Sequence, residues 1–277
     1  MAKSLSKHEA SKHHRRCKSL ISWTVLAVRS VEFREEFVME DITGLIRELV
    51  IANRILAREG VVDAFGHISV RNPKNPESYF ISVSRAPELI TMDDIVEFRL
   101  DGEPIGDLRD RTPYGERAIH GGIYEVRPEV NSVVHNHSQE VIPFAATNTL
   151  IRPLLHMSAP MGAHVPIWDI REKFGETNHL VVTMEQGRDL ASALGENAAA
   201  LMKRHGCVCA RRNIREVVMT AVYLQATAKM LMQAKLLGGE IDYLTPNEVD
   251  LCNVNQLGPL GLDRAWEYWV MRSGYAD

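Results

Sequence analysis

The run VNSVVHNHS, residues 130 to 138, has the apolar, β-branched pattern of a strand and ends by setting His135 and His137 two positions apart. Residues i and i+2 of a strand point to one face, so the two imidazoles stand side by side. The fold must therefore leave this strand end either solvated, with the rings as polar fillers, or built around a bound cation that they chelate. A third imidazole is within reach of such a site. His205 lies in a second strand-like run, AALMKRHGCVCA (199–210), and Gly206 after it supplies a turn by which the ring can approach. Three neutral imidazoles with an open position suit a catalytic divalent metal without thiolate ligands.

The surrounding pattern is mixed α/β. DITGLIRELVIANRILAREG keeps Ile42, Leu45, Ile46, Leu49, Ile55 and Leu56 at helical spacing and stops at Gly60, which predicts a helix. HISVR, SYFISVS and IVEFRL follow as strands, the last running into the turn residues DGEP, and their alternation is that of an antiparallel sheet. Thr112 and Pro113 read as N-cap and N1 of a helix through Val126, closed by Arg127 and Pro128. HVPIW and HLVVTM read as strands, GRDLASALGEN as a helix, and AALMKRHGCVCA as one further strand. Asn213 with Glu216 opens a long helix over REVVMTAVYLQATAKMLMQAKLL, which Gly238 and Gly239 close.

At 277 residues and 45% hydrophobic the chain can bury a substantial core, and we expect one compact domain over residues 39–245 with an N-terminal extension (1–38) and a C-terminal tail (246–277) that is a candidate subunit-interface segment. A net charge of −4 with intermixed signs gives no overall attraction to nucleic acid. The apolar run within KHHRRCKSLISWTVLAV is too short to span a bilayer and lacks a clean cleavage site, so neither membrane nor export is expected. Four unevenly placed cysteines form no disulfide framework, which makes a cytoplasmic location the default.

Glu116, on the expected helix before the HNH strand, is a solvated surface acid, a fourth ligand, or a general acid/base beside the cation. His120, one turn later on the same face, either enters the pocket or packs as a helix histidine. In order, YGERAIHGGIYEVRPEVNSVVHNHSQEVIPFA and LMKRHGCV resemble the class II aldolase/adducin family, with an acid ahead of a helix ending in RP, an HxH strand and a later HG pair. The resemblance runs from about residue 41 to 245 and takes in GHISVR and DYLTPNE. It implies a three-layer α/β/α domain around a mostly antiparallel sheet, commonly a homotetramer with active sites at subunit boundaries. It also implies His135, His137 and His205 as metal ligands, with Glu116 as catalytic acid/base or fourth ligand. The ion would be manganese or zinc, with iron or cobalt as other options.

Departures from that pattern bear on substrate. Sugar-phosphate aldolases of the family carry a GN(I/L)S segment and a serine pair before the glutamate; here the first segment is GHIS, with His67, and Pro113, Tyr114 and Gly115 precede Glu116. The phosphate cradle is dismantled. In SVSRAPEL, Ser84 and Arg85 occupy the corresponding loop, and the guanidinium can grip a carboxylate or pair with Glu88 or Asp93. Such segments resemble those of decarboxylases of hydroxylated aromatic or pyridine dicarboxylic acids, for example 3-hydroxy-2-methylpyridine-4,5-dicarboxylate or 3,4-dihydroxyphthalate. The expected activity is a metal-dependent carbon–carbon lyase on a carboxylated small molecule, with His67, Ser84, Arg85 and Tyr114 binding substrate and Glu116 and His120 catalytic. The alternatives are an aldolase for an unphosphorylated hydroxy-carbonyl compound and a non-catalytic adducin-like interaction module.

Overall fold

The computed structural model describes residues 42–275, so the expected extension over residues 1–38 lies outside the described part. Helix α1 (Ile42–Arg58) buries Leu45, Leu49, Ala52, Ile55 and Leu56, the stripe its periodicity predicts. Eight strands form one sheet: β1 (His67–Asn72), β2 (Asn75–Ser82), β3 (Ile95–Arg99), β4 (Pro104–Ile105), β5 (Ser132–Asn136), β6 (Ile167–Trp168), β7 (Ala199–Met202) and β8 (Gly206–Arg211). Their order is β4-β3-β2-β1-β5-β8-β7-β6. Only β6 with β7 is parallel, so the sheet is mixed but mostly antiparallel. The remaining helices are α2 (Arg117–Val126), α3 (Ile142–Thr147), α4 (Arg171–Phe174), α5 (Met184–Leu194), α6 (Ile214–Leu237), α7 (Pro246–Gln256) and α8 (Pro259–Ser273).

Strand alternation divides the core between the two faces of the sheet. Val134, Leu201, Cys207 and Cys209 pack with α1, α6 and α8, whereas Val133, Ala200, Val208 and Ala210 pack with α2 and α5. Both faces are therefore covered, which explains why the central strands are apolar throughout. Helices α2 and α5 touch backbone to backbone. A Cβ on Gly187 would lie 2.0 Å from Ala118 O, and one on Gly122 would lie 2.5 Å from the Gly187 carbonyl carbon. Only glycine admits this approach.

Three expectations need correction. The helix expected from Thr112 starts at Arg117, because Pro113 forms a bridge to Val83 and Thr112 O accepts from Ser84 N, which keep that segment extended and leave Glu116 as the N-cap. AALMKRHGCVCA is two strands in an antiparallel pair, reversed at Lys203–His205 with Arg204 at φ 63°. HLVVTM is irregular: the Val182 and Thr183 amides go to the Gln186 side chain, and Thr183 caps α5. From residue 246 the chain forms α7 and α8, with Trp266 and Trp269 buried in the core beside α1 and α6.

Candidate metal centre

Three neighbouring pieces of backbone bring four side chains together. Glu116 caps α2, His135 and His137 flank the end of β5, and His205 sits in the turn between β7 and β8. One ligating atom from each lies within 4.8 Å of all the others. His135 Nδ1 is 3.1 Å from Cys207 O on the adjacent strand β8. A carbonyl only accepts, so Nδ1 carries the proton and the Nε2 lone pair faces the cluster. That lone pair is 3.1 Å from His137 Nε2, a separation that requires a proton or a cation between the rings.

His135 Nε2 and His205 Nε2 are 3.7 Å and 3.5 Å from Glu116 Oε2. Both ring nitrogens of His205 are buried without a hydrogen-bond partner among the described residues. Tetrahedral ligands about 2.0–2.1 Å from an ion lie roughly 3.3 Å apart, so these separations and the orphaned imidazole fit a divalent ion. Gly206 makes the closeness possible, since a Cβ there would meet Asn136 O at 2.1 Å.

The electrostatics favour the ligating forms. Burial lowers the His135 pKa well below its ordinary value, and nearby His205 lowers it further; the same causes lower that of His137. For Glu116, burial pushes upward, but the neighbouring His205 and His135 rings and the hydrogen bond from the Val181 amide outweigh it and lower the pKa to about 2. Val181 N donates to Glu116 Oε1 at 2.9 Å. The irregular stretch before α5 thus spends a backbone amide on the carboxylate instead of on a strand ladder.

His67 is the cross-strand partner of His135, with ring centroids 5.1 Å apart. His120 lies behind it, fully buried, with Nε2 2.6 Å from His67 Nδ1 and Nδ1 2.6 Å from Ser69 Oγ. Burial lowers the His120 pKa to about 3. Both of its nitrogens are engaged, and His67 stands between it and His135. The Tyr114 ring lies against His67, tilted 45° with centroids 4.6 Å apart, and its hydroxyl donates its proton to Arg85 O. Arg85 pairs with Asp94, neither Glu88 nor Asp93, at 2.7 Å and remains 43% exposed on its side chain; Ser84 is exposed beside it. A cavity of about 250 Å³ opens at His137, lined also by Val62, Asp63 and Glu140. A second cavity, of about 670 Å³, lies between α6, α7 and α8 and takes in His156, Tyr223 and Trp269, none of them in the histidine cluster.

Sequence reading missed Ser69, Tyr124 and the Val181 amide. Ser69 and Tyr124 carried a signal: Ser69 is i+2 from His67 on a strand, and Tyr124 is i+4 from His120 on a helix. The Val181 amide carried none.

Residues 47–232 match the family model described as the class II aldolase and adducin N-terminal domain. The decarboxylase tropJ of Talaromyces stipitatus is 32% identical over 81% of this chain and 92% of its own length. A 3,4-dihydroxyphthalate decarboxylase of Arthrobacter keyseri is 24% identical over 83% of this chain and 94% of its own length. Among solved structures, the L-fuculose 1-phosphate aldolase of Glaciozyma antarctica superposes with a TM-score of 0.68 at 21% identity, covering 84% of this chain and 91% of that one, a likeness of fold.

Proposed function

This chain belongs to the class II aldolase and adducin family, and from that premise we propose that it is a divalent-metal-dependent lyase that decarboxylates a hydroxylated aromatic or pyridine dicarboxylic acid. The observation that carries the reading is the convergence of Glu116, His135, His137 and His205, in a chain whose relatives along more than four-fifths of its length include named decarboxylases. An adducin-like module has no need of three imidazoles and a carboxylate held this closely.

His135, His137 and His205 would hold the ion, with Glu116 as fourth ligand or as the proton carrier beside it. The bound ion, of which manganese, zinc, iron and cobalt all suit this donor set, supplies a positive charge that stabilises the electrons left when the carbon–carbon bond breaks. Glu116 is ionised at neutral pH, so a proton it delivers must first be collected. In this reading Oε2 takes the proton of the substrate's ring hydroxyl, the ring–carboxylate bond breaks to release CO₂ and leaves its electron pair on the ring carbon, and Glu116 returns the proton to that carbon. His67, Ser84, Arg85 and Tyr114 form the side that meets the second carboxylate; Tyr114 links the two ends by its ring on His67 and its hydroxyl on Arg85.

The same reading includes helices on both sides of the sheet as a three-layer domain, a homotetramer and a cytoplasmic location. Among the described residues, no helix is long and apolar enough to cross a membrane. The test is CO₂ release from 3,4-dihydroxyphthalate and from hydroxypyridine dicarboxylates, with chelator and after adding back metal. Absence of metal-dependent release from all of them would sink the proposal. A relative named L-fuculose phosphate aldolase, 24% identical over half of this chain, keeps the aldol reaction as the second reading. Equilibration of an unphosphorylated aldehyde with pyruvate or a hydroxyketone would mark that activity.

A further inference from the structure

Behind the ligating cluster lies a sealed row of polar groups: His67 and Ser69 from β1, His120 and Tyr124 from α2. His67 Nδ1 is 2.6 Å from His120 Nε2, His120 Nδ1 is 2.6 Å from Ser69 Oγ, and Ser69 Oγ is 2.7 Å from the Tyr124 hydroxyl. None is more than 3% exposed. Such a row can run in either direction, and its far end decides which.

The Tyr124 hydroxyl meets Ser69 Oγ and, as an acceptor, the Val133 backbone amide, so Ser69 Oγ is the acceptor in reach of its proton. A buried phenol that did not donate to it would leave its proton without an acceptor, which costs more than the bond is worth. Tyr124 therefore donates to Ser69. The Ser69 hydroxyl, with one neighbour already donating, gives its own proton to His120 Nδ1. A fully buried imidazole is neutral and carries one proton, so that of His120 sits on Nε2 and is donated to His67 Nδ1. His67 is left with its proton on Nε2, the nitrogen that has no hydrogen-bond partner among the described residues.

We infer that Tyr124, Ser69 and His120 are positioning residues that fix His67 as a neutral Nε2–H donor beside the metal-ligating cluster, so that the site selects a substrate presenting an anionic oxygen there. The acceptor class, an aromatic carboxylate, rests on the decarboxylase reading; the tautomer does not. A donor in place also excludes a ligand that offers an ammonium or amide N–H at that point, because two donors would face each other. The row thus converts a hydroxyl buried under α2 into a choice of substrate charge.

The experiment uses full-length, zinc-loaded protein with ¹⁵N-labelled histidine, the His67 signals being assigned by their loss in His67→Asn. Wild type should show one tautomer of His67, with Nε2 protonated and Nδ1 bare. Ser69→Ala should give a mixture and weaken binding of phthalate about tenfold, the worth of a hydrogen bond to a charged group, at unchanged zinc content. Ser69→Thr, which restores the hydroxyl, should recover both. Tyr124→Phe removes only the terminal donor and should also broaden the tautomer population, so it decides the matter if Ser69→Ala fails to fold. A wild-type His67 protonated on Nδ1, or a tautomer and affinity indifferent to both variants, overturns the inference. Because the tautomer is read without ligand, failure of phthalate to bind wild type counts against the dicarboxylate reading alone.

Discussion

Glu116 is held at both oxygens, Oε1 by the Val181 amide and Oε2 near His135 and His205, so its direction is set before any ligand arrives. Glu116→Gln keeps the shape and removes the charge; CO₂ release should fall by about 10²–10⁴-fold, the usual worth of a positioned acid/base, in a steady-state assay at saturating metal. A residue away from the cluster gives a pH prediction. Asp94 Oδ2 accepts from Thr91 N, Thr91 Oγ1 and Arg85 Nη1, each within 2.8 Å. Burial pushes its carboxyl pKa up, but the Thr91 and Arg85 hydrogen bonds and the Arg85 charge outweigh it and leave it lowered. A depressed folded-state pKa means stability that is present above the ordinary carboxylate range and lost as pH falls through the folded value. Asp94→Ala should cost about 1 kcal/mol at pH 7, as lost caps do, and its gap from wild type in urea unfolding should close on acidification. At this scale the sequence was informative where chemistry is local. The spacing of His135 and His137 is visible in any strand, whereas pairing Arg85 with Asp94 depends on a 3₁₀ turn that the sequence does not advertise.

The contact between α2 and α5 places the glutamate. Gly187 lies against Ala118 O and Gly122 against Gly187, so the two backbones meet with no side chain between them. Gly187→Ala should force them apart, lower stability by about 1–3 kcal/mol as overpacking does, and weaken the Val181 hold on Glu116. Thermal unfolding together with metal titration would register both effects, and an unchanged midpoint would contradict the packing argument. Elements with their own punctuation were legible: α1 ends at Arg58, just before the positive-φ Gly60, and Asn213 caps α6 by accepting from Glu216 N. The reversal that carries His205 was not, because Arg204 adopts a left-handed conformation without the glycine or asparagine that signals one. HLVVTM misled for the opposite reason: its β-branched residues favour a strand, but its amides are used by Glu116 and Gln186. Helix α7 had a readable start in Thr245, Pro246 and Glu248, a capping box with proline at N1.

Across the molecule the sheet separates two cores, and Glu116, His135, His137 and His205 gather near the C-terminal end of β5 and the turn that joins β7 to β8. An ion bound only by the folded state adds stability by mass action, about 3 kcal/mol at a hundredfold excess over its dissociation constant. Stripping metal with a chelator should therefore lower Tm by roughly 5–10 °C for a chain of this size, and calorimetry with and without zinc checks it. Trp269, 5% exposed in the core beside α1 and α6, makes the C-terminal helices part of the same unit. Truncating it to alanine should cost about 3–5 kcal/mol in urea unfolding, and a much smaller loss would detach those helices from the fold's stability.

One pairing has a wider consequence. The Cys207 carbonyl that holds the His135 ring reaches it only when β8 lies in register with β5, and a slip of one residue would turn every side chain of that strand to the opposite face. A misassembled chain would then look well folded by helix content and still lack the cluster proposed to hold an ion. In the metal-dependent reading, ion stoichiometry would serve as a proofreading signal for strand alignment, and an ion-poor fraction in a purified preparation would report molecules zipped up wrongly rather than molecules starved of metal.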